Sequence, residues 1–271
     1  MDATDAAAVA RRLVGARLAG RTLDVTLTDE YPLSLADAYR VQAEVTALRL
    51  ARGERVVGWK LGYTSVAMRE QMGIAEPNHG PLTDAMVLPS GGFVPPEALQ
   101  PRVEPEIGLR LARDLVGPCT VEEALAACDS AVACLEVVDS VWTGYRFALA
   151  DNTADGSSAA WVVVGSELSL DDLPAAVVEL SVDGAVVARS TGAAAGGHPA
   201  AGLAWLAGQL AGVPRGLRAG DLIITGGLTA AYPLAPGGRI AATFGTEVRV
   251  SVAFTRGVGA EPASSGGDRR R

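Results

Sequence analysis

The spacing of apolar side chains divides the chain into a helical first third and a strand-rich remainder. From Leu35 to Leu50, the residues Leu35, Tyr39, Gln42, Val45 and Leu48 recur along one helix face; Ser34 stands at the N-cap position and Gly53 lies beyond the far end. The Ala-rich stretch Ala6 to Leu18 reads as another helix. Arg55 to Leu61 is apolar and β-branched enough for a strand, which carries Lys60 into the turn Gly62-Tyr63-Thr64-Ser65, and a short helix is expected over Val66 to Met72. Glu76 to Pro101 has many Pro and Gly residues and no period, so it reads as a long ordered loop.

Beyond Arg102 the period changes from helical to strand-like. Val103, Ile107, Leu109 and Leu111 fall on one face of a strand, and Glu104, Glu106, Gly108 and Arg110 on the other. Thr120 with Glu123 forms a capping box for a short helix ending near Ala127. Ala131 to Val138 and Trp161 to Val164 read as buried strands, and Val177 to Arg189 as a hairpin turning at Asp183-Gly184. His198 to Leu210 reads as a helix, Asp221 to Thr225 as a strand, and Arg239 to Phe244 with Glu247 to Phe254 as a closing pair. These patterns predict an N-terminal helical cap over residues 1–85, a β-rich catalytic domain over 86–255, and a disordered Gly, Ser and Arg-rich tail over 256–271. Strands separated by turns rather than by regular helices favour a mixed or antiparallel sheet in an α+β fold.

Composition narrows the chemistry. A net charge of −8 over 271 residues disfavours a nucleic-acid partner, which needs a concentrated basic surface. No apolar run reaches the roughly 18 residues that span a bilayer, so the expected address is the cytoplasm. Three cysteines without a CxxC pair, and only two histidines, argue against zinc knuckles and imidazole-rich metal sites. Any metal must therefore rest on carboxylates.

Glu104 and Glu106, two apart on one strand, point the same way and place like charges side by side, which is costly without a cation. A solvated edge strand is the bland alternative, and Pro105 between them suggests such an edge. Glu136, inside the apolar run Ala133-Cys134-Leu135-Glu136-Val137-Val138, must face something polar or be paired. Three carboxylates select a hard ion, Mg²⁺ or Mn²⁺, over zinc. Lys60 is a candidate acid/base against the alternative of a lysine snorkelling to water. Asp155 and Ser158 supply polar groups in a turn that Asx bonding alone could explain. His198 marks a helix N-terminus able to attract a carboxylate, and His79 reads as a surface histidine.

Taken together, Gly58-Trp59-Lys60-Leu61-Gly62-Tyr63-Thr64-Ser65, Pro101-Arg102-Val103-Glu104-Pro105-Glu106-Ile107, Leu135-Glu136-Val137-Val138-Asp139-Ser140, Ala154-Asp155 with Ser158, and Gly197-His198-Pro199 resemble, in this order, the 2-oxopent-4-enoate hydratase and 4-oxalocrotonate decarboxylase family of the fumarylacetoacetate hydrolase superfamily. Gly220-Asp221 and Thr225-Gly226-Gly227-Leu228-Thr229 are similar to the same family's C-terminal pattern. The resemblance implies a mixed β-roll, a Mg²⁺ or Mn²⁺ ion on Glu104, Glu106 and Glu136, a lysine acid/base at Lys60, and substrate binding by Ser158 with Asp155; His198, at its helix N-terminus, is the further candidate for binding the substrate. It also implies a small unsaturated 2-oxo acid substrate, a homo-oligomer, and association of hydratase with decarboxylase. Decarboxylation of 4-oxalocrotonate is the expected reaction, with hydration of 2-oxopent-4-enoate as the alternative. A C–C bond hydrolase, for which only His79 could serve as base, and a non-catalytic partner subunit are the other readings. The chain departs from the family at Gly156, where Asn is usual, and at Val141, where Arg often follows the Asp-Ser pair.

Overall fold

The structure, a computed structural model, describes residues 2–66, 69–70 and 73–255. The helix expected over Val66 to Met72 falls partly, and the tail over 256–271 wholly, outside the described residues.

The N-terminal helices form where capping and Ala-rich faces coincide. Helix α1 (Ala3–Leu18) starts at Asp2, whose carboxylate accepts from the Asp5 amide; α2 (Leu27–Glu30) is a single turn closed by a Thr26/Asp29 capping box; α3 (Leu35–Leu50) starts at Ser34. Their apolar sides, Ala6, Ala10, Leu13, Leu27, Ala38 and Val41, do not close on themselves. They pack on Val141, Trp142 and Ala154, from a later segment that ends in helix α5 (Leu149–Ala154). Between them lies the short helix α4 (Val121–Leu125), capped by Thr120 and Glu123 as the sequence predicts.

The strands β1 (Val56–Gly62), β2 (Asn78–Thr83), β3 (Val87–Pro89), β5 (Arg102–Leu111), β6 (Cys128–Val138), β7 (Ala159–Leu168) and β10 (Leu222–Ile224) build a mixed sheet in the order β2-β1-β10-β5-β6-β7-β3, and β11 (Tyr232–Pro233) pairs with β5 as its eighth strand. A second sheet of five strands runs β4 (Phe93–Val94), β13 (Val248–Phe254), β12 (Arg239–Phe244), β8 (Val177–Val182) and β9 (Ala185–Thr191). The β8–β9 hairpin turns at Asp183 and Gly184, φ 47° and 87°, a pair of positive φ values that Asp-Gly adopts readily. Helix α6 (Pro199–Gln209) covers one end, buried along Leu203 and Leu206.

Alternation along β5 decides which face is core. Val103, Ile107, Leu109 and Leu111 pack with Leu135, Val137, Ile240, Ala242, Val250 and Val252 in the layer between the sheets, where each buried Leu or Ile contributes roughly 1.5–3 kcal/mol. A slip of one residue would exchange Ile107 and Leu111 for Glu106 and Arg110, so the register is fixed and the glutamates are committed to the other face.

Two expectations are corrected. Glu76 to Pro101 is not a loop throughout: it holds β2, β3 and β4, short pieces interrupted by Pro and paired with distant strands, which leave no local period. Both β1 and β2 belong to the large sheet. Nor is β5 an edge strand. Pro105 sits in the gap between β10 and β11, where its missing N–H costs no ladder bond, and its carbonyl accepts from the Leu228 amide.

Candidate metal centre and cleft

Antiparallel pairing of β5 with β6 sets Glu136 directly opposite Glu104, with Glu106 one step along opposite Cys134. Same-strand and cross-strand neighbours thus meet on one sheet face, and one oxygen from each of Glu104, Glu106 and Glu136 lies within 4.8 Å of the others. Glu106 and Glu136 are buried; Glu104 is half-buried at the cleft wall. Burial, then the Glu136 charge, lifts the Glu104 carboxyl to about 8, and burial with both neighbouring carboxylates holds Glu106 well above its ordinary range.

Few partners offset this crowding. The Gly226 amide donates to Glu106 Oε2 at 2.7 Å, from a backbone at φ 103° that favours glycine. A side chain at Gly227 would strike the Glu104 carboxylate. Glu106 Oε1 and Glu136 Oε2 are buried and accept no hydrogen bond. Hard oxygen donors converging with orphaned lone pairs, and no sulfur or imidazole in the trio, fit a Mg²⁺ or Mn²⁺ ion.

Lys60 rises from β1 on the face of the sheet that carries the trio, buried, with Nζ 3.1 Å from Glu136 Oε1. It donates to the Ser157 carbonyl (2.9 Å) and approaches Ser157 Oγ (3.1 Å). The contacts continue: Ser157 Oγ donates to Asn78 Oδ1 (2.8 Å), Asn78 Nδ2 to Asn152 Oδ1 (2.9 Å), and Asn152 Nδ2 to Ser158 Oγ (2.9 Å). Ser157 and Ser158 sit at φ 59° and 54°, a turn that aims both hydroxyls at the same space. That space is a cleft of about 510 Å³ bounded by Lys60, Tyr63, Arg102, Glu104, Asn152 and Ser158, among others. Tyr63 is kept protonated by burial and the nearby Glu104, leaving an O–H donor on the wall.

Of the residues singled out from the sequence, the trio, Lys60 and Ser158 come together here. Asp155 does not: its carboxylate is bound by Arg17 at 2.9 Å and by the Val141 amide at 3.0 Å, and it helps fasten the helical layer. His198 does not line the cleft either; its Nδ1 accepts the Ala200 amide at 3.0 Å and caps its own helix. His79 is buried rather than exposed, stacked 4.5 Å from Tyr39 and edge-on to Trp59, and burial lowers it to about 4. A neutral histidine outside the cleft wall lends nothing to the hydrolase reading. Sequence reasoning passed over Asn78, Asn152, Ser157, Tyr63 and Arg102. Tyr63 and Arg102 lay inside quoted motifs, whereas Asn78 lay in the segment read as loop.

Comparison with known proteins agrees with this geometry. The fumarylacetoacetate (FAA) hydrolase C-terminal family model matches residues 64–260. The chain is 39% identical over 234 residues to 4-oxalocrotonate decarboxylase of Pseudomonas sp. strain CF600, covering 84% of this chain and 89% of that one. It is 40% identical over 233 residues to 2-keto-4-pentenoate hydratase of Burkholderia vietnamiensis strain G4, covering 84% and 88%. The structure of 4-oxalocrotonate decarboxylase from Pseudomonas putida G7 with magnesium and adipate superposes with a TM-score of 0.89 at 34% identity, over 94% of this chain and 98% of that one. With a mixed β-roll, a three-glutamate centre and matches spanning most of its length, the chain belongs to the fumarylacetoacetate hydrolase family.

Proposed function

We propose that the protein is a divalent-metal-dependent lyase that decarboxylates 4-oxalocrotonate, 2-oxohex-3-enedioate, to 2-hydroxypenta-2,4-dienoate. The observation that carries this reading is the buried trio with orphaned oxygens beside Lys60, with Glu104 and Lys60 lining a cleft of small-molecule size.

Glu104, Glu106 and Glu136 would hold a divalent ion, which would supply a Lewis acid for the oxo-acid end of the substrate. The chain's own residues do the rest. The trio fixes the oxo-acid end, Tyr63 and Ser158 offer hydroxyls along the wall, and the Gly226-Gly227 backbone closes the far side of the trio. As the bond to the distal carboxylate breaks, CO₂ leaves and its electron pair passes into the conjugated chain. Lys60 Nζ, the one buried ammonium among the residues lining the cleft, is placed to hold and deliver the proton that yields the dienol. Ser157 and Asn78 orient that amine.

The similarity to a 2-keto-4-pentenoate hydratase supports a second reading, in which Lys60 ketonises the dienol by proton transfer before water adds to the distal double bond. Incubating the protein with Mg²⁺ and each substrate separates the two. The first reading requires CO₂ release from 4-oxalocrotonate; formation of 4-hydroxy-2-oxopentanoate without CO₂ release would establish the second and overturn the first.

A further inference from the structure

We propose that Arg102 selects substrates bearing a second, distal carboxylate, so that the cleft prefers dicarboxylic to monocarboxylic 2-oxo acids. The inference rests on reading the glutamate trio as the anchor for the oxo-acid end.

Arg102, Glu104 and Glu106 alternate onto one face of β5, and Arg102 lines the same cleft as Glu104 and Lys60. Two residues of strand separate Arg102 from Glu104, about 6.6 Å at roughly 3.3 Å per residue. At that backbone spacing both side chains border the same cleft, so a short diacid anchored at the trio can present its far end to Arg102. The side chain is also free to bind: among the described residues Arg102 has no ion pair and no side-chain hydrogen bond, whereas Arg17 and Arg218 each hold an aspartate. What holds Arg102 is Tyr145. The guanidinium lies 4.2 Å from the ring centroid, and the ring is pinned by its hydroxyl, which donates to the Val138 carbonyl at 2.8 Å and sits 3.1 Å from that of Gln100. Stacking positions the cation without neutralising it and leaves its planar edge of N–H donors for a carboxylate.

Arg102 pairs with the carboxylate that leaves as CO₂, so its grip stabilises bound substrate and is released as the C–C bond breaks. An interaction made to bound substrate and lost in the transition state lowers KM and kcat together, so removing Arg102 should raise KM without lowering kcat. The inference also favours decarboxylation over hydration, since the hydratase substrate lacks the distal acid.

The test compares 2-oxoadipate with 2-oxohexanoate, which differ only in the distal carboxylate, binding to the Mg²⁺-loaded protein in calorimetric titrations. Wild type is expected to prefer the diacid by about tenfold. In Arg102→Gln the preference should fall close to one, with 2-oxohexanoate affinity held within about twofold as a control for the fold, and Arg102→Lys should restore part of it. A preference that survives Arg102→Gln overturns the proposal, and so does equal weakening of both ligands. Failure of the underlying reading looks different: both acids would bind equally well with and without Mg²⁺, whatever residue stands at 102.

Discussion

Two buried acidic clusters lie on either side of the turn 155–158, and they are built by opposite rules. At Asp139 and Asp155 every carboxylate oxygen has a donor. Asp155 takes the Arg17 guanidinium and the Val141 amide, and Asp139 takes the amides of Leu99 and Gln100 at 2.9 and 2.7 Å. At Glu104, Glu106 and Glu136 three carboxylates share one lysine and one backbone amide, and buried oxygens go without hydrogen bonds. The first arrangement is complete as folded and fastens α1 to the segment ahead of β7. The second is complete only with a cation, so the fold tolerates its electrostatic cost for the sake of binding.

That contrast can be broken by mutation. Glu106→Gln should abolish tight divalent-ion binding and lower turnover by roughly a thousandfold, ~4 kcal/mol of transition-state stabilisation, without lowering the Tm of the metal-free protein. Steady-state rates and thermal melts check both halves. Arg17→Met does the reverse: it strands Asp155 and Asp139 in the interior and should cost about 3 kcal/mol, a fall in Tm of roughly 6–10 °C, while protein that remains folded keeps its metal affinity.

A pH series sharpens the same comparison. Glu104 is raised in the fold from an ordinary 4.5 to about 8. For a carboxyl shifted upward, the contribution to stability is present below the unfolded value and is lost as pH rises towards the folded one. The metal-free protein should therefore lose stability between about pH 4.5 and 8, and the gain in Tm on adding saturating Mg²⁺ should be larger at pH 8 than at pH 6. An equal or smaller gain at pH 8 would contradict this assignment. The smallest effect is expected at Asn78→Ala, which unties Ser157 from the network around Lys60: kcat should fall about tenfold with KM nearly unchanged, because only the orientation of the amine is disturbed.

What the sequence made legible follows from where its signals are local. The trio could be found because strand periodicity assigns Glu104 and Glu106 to one face, and because Glu136 is conspicuous in an apolar run. Their meeting required the β5–β6 register, which no short window carries. The closing strands, the Asp183-Gly184 hairpin and the capped helices were legible for the same local reason. Pro105 misled because a missing N–H suggests an edge, and only the break between β10 and β11 shows how an interior strand accommodates it. Asp155 misled for the opposite reason: its neighbours in sequence are turn residues that reach the cleft, but its own partner is Arg17, distant in the chain. Asn78 was hidden because β2 is short, interrupted by Gly80 and Pro81, and recognisable only by its pairing with β1.

The account stands on the three glutamates holding one divalent ion, and a direct measurement is titration of Mn²⁺ into the metal-free protein, followed by electron paramagnetic resonance and calorimetry. It predicts one tight site per chain, lost in Glu106→Gln and in Glu136→Gln and retained in Asp155→Asn. Mn²⁺ binding that persists unchanged in both glutamate variants, or that disappears with Asp155 instead, would contradict it.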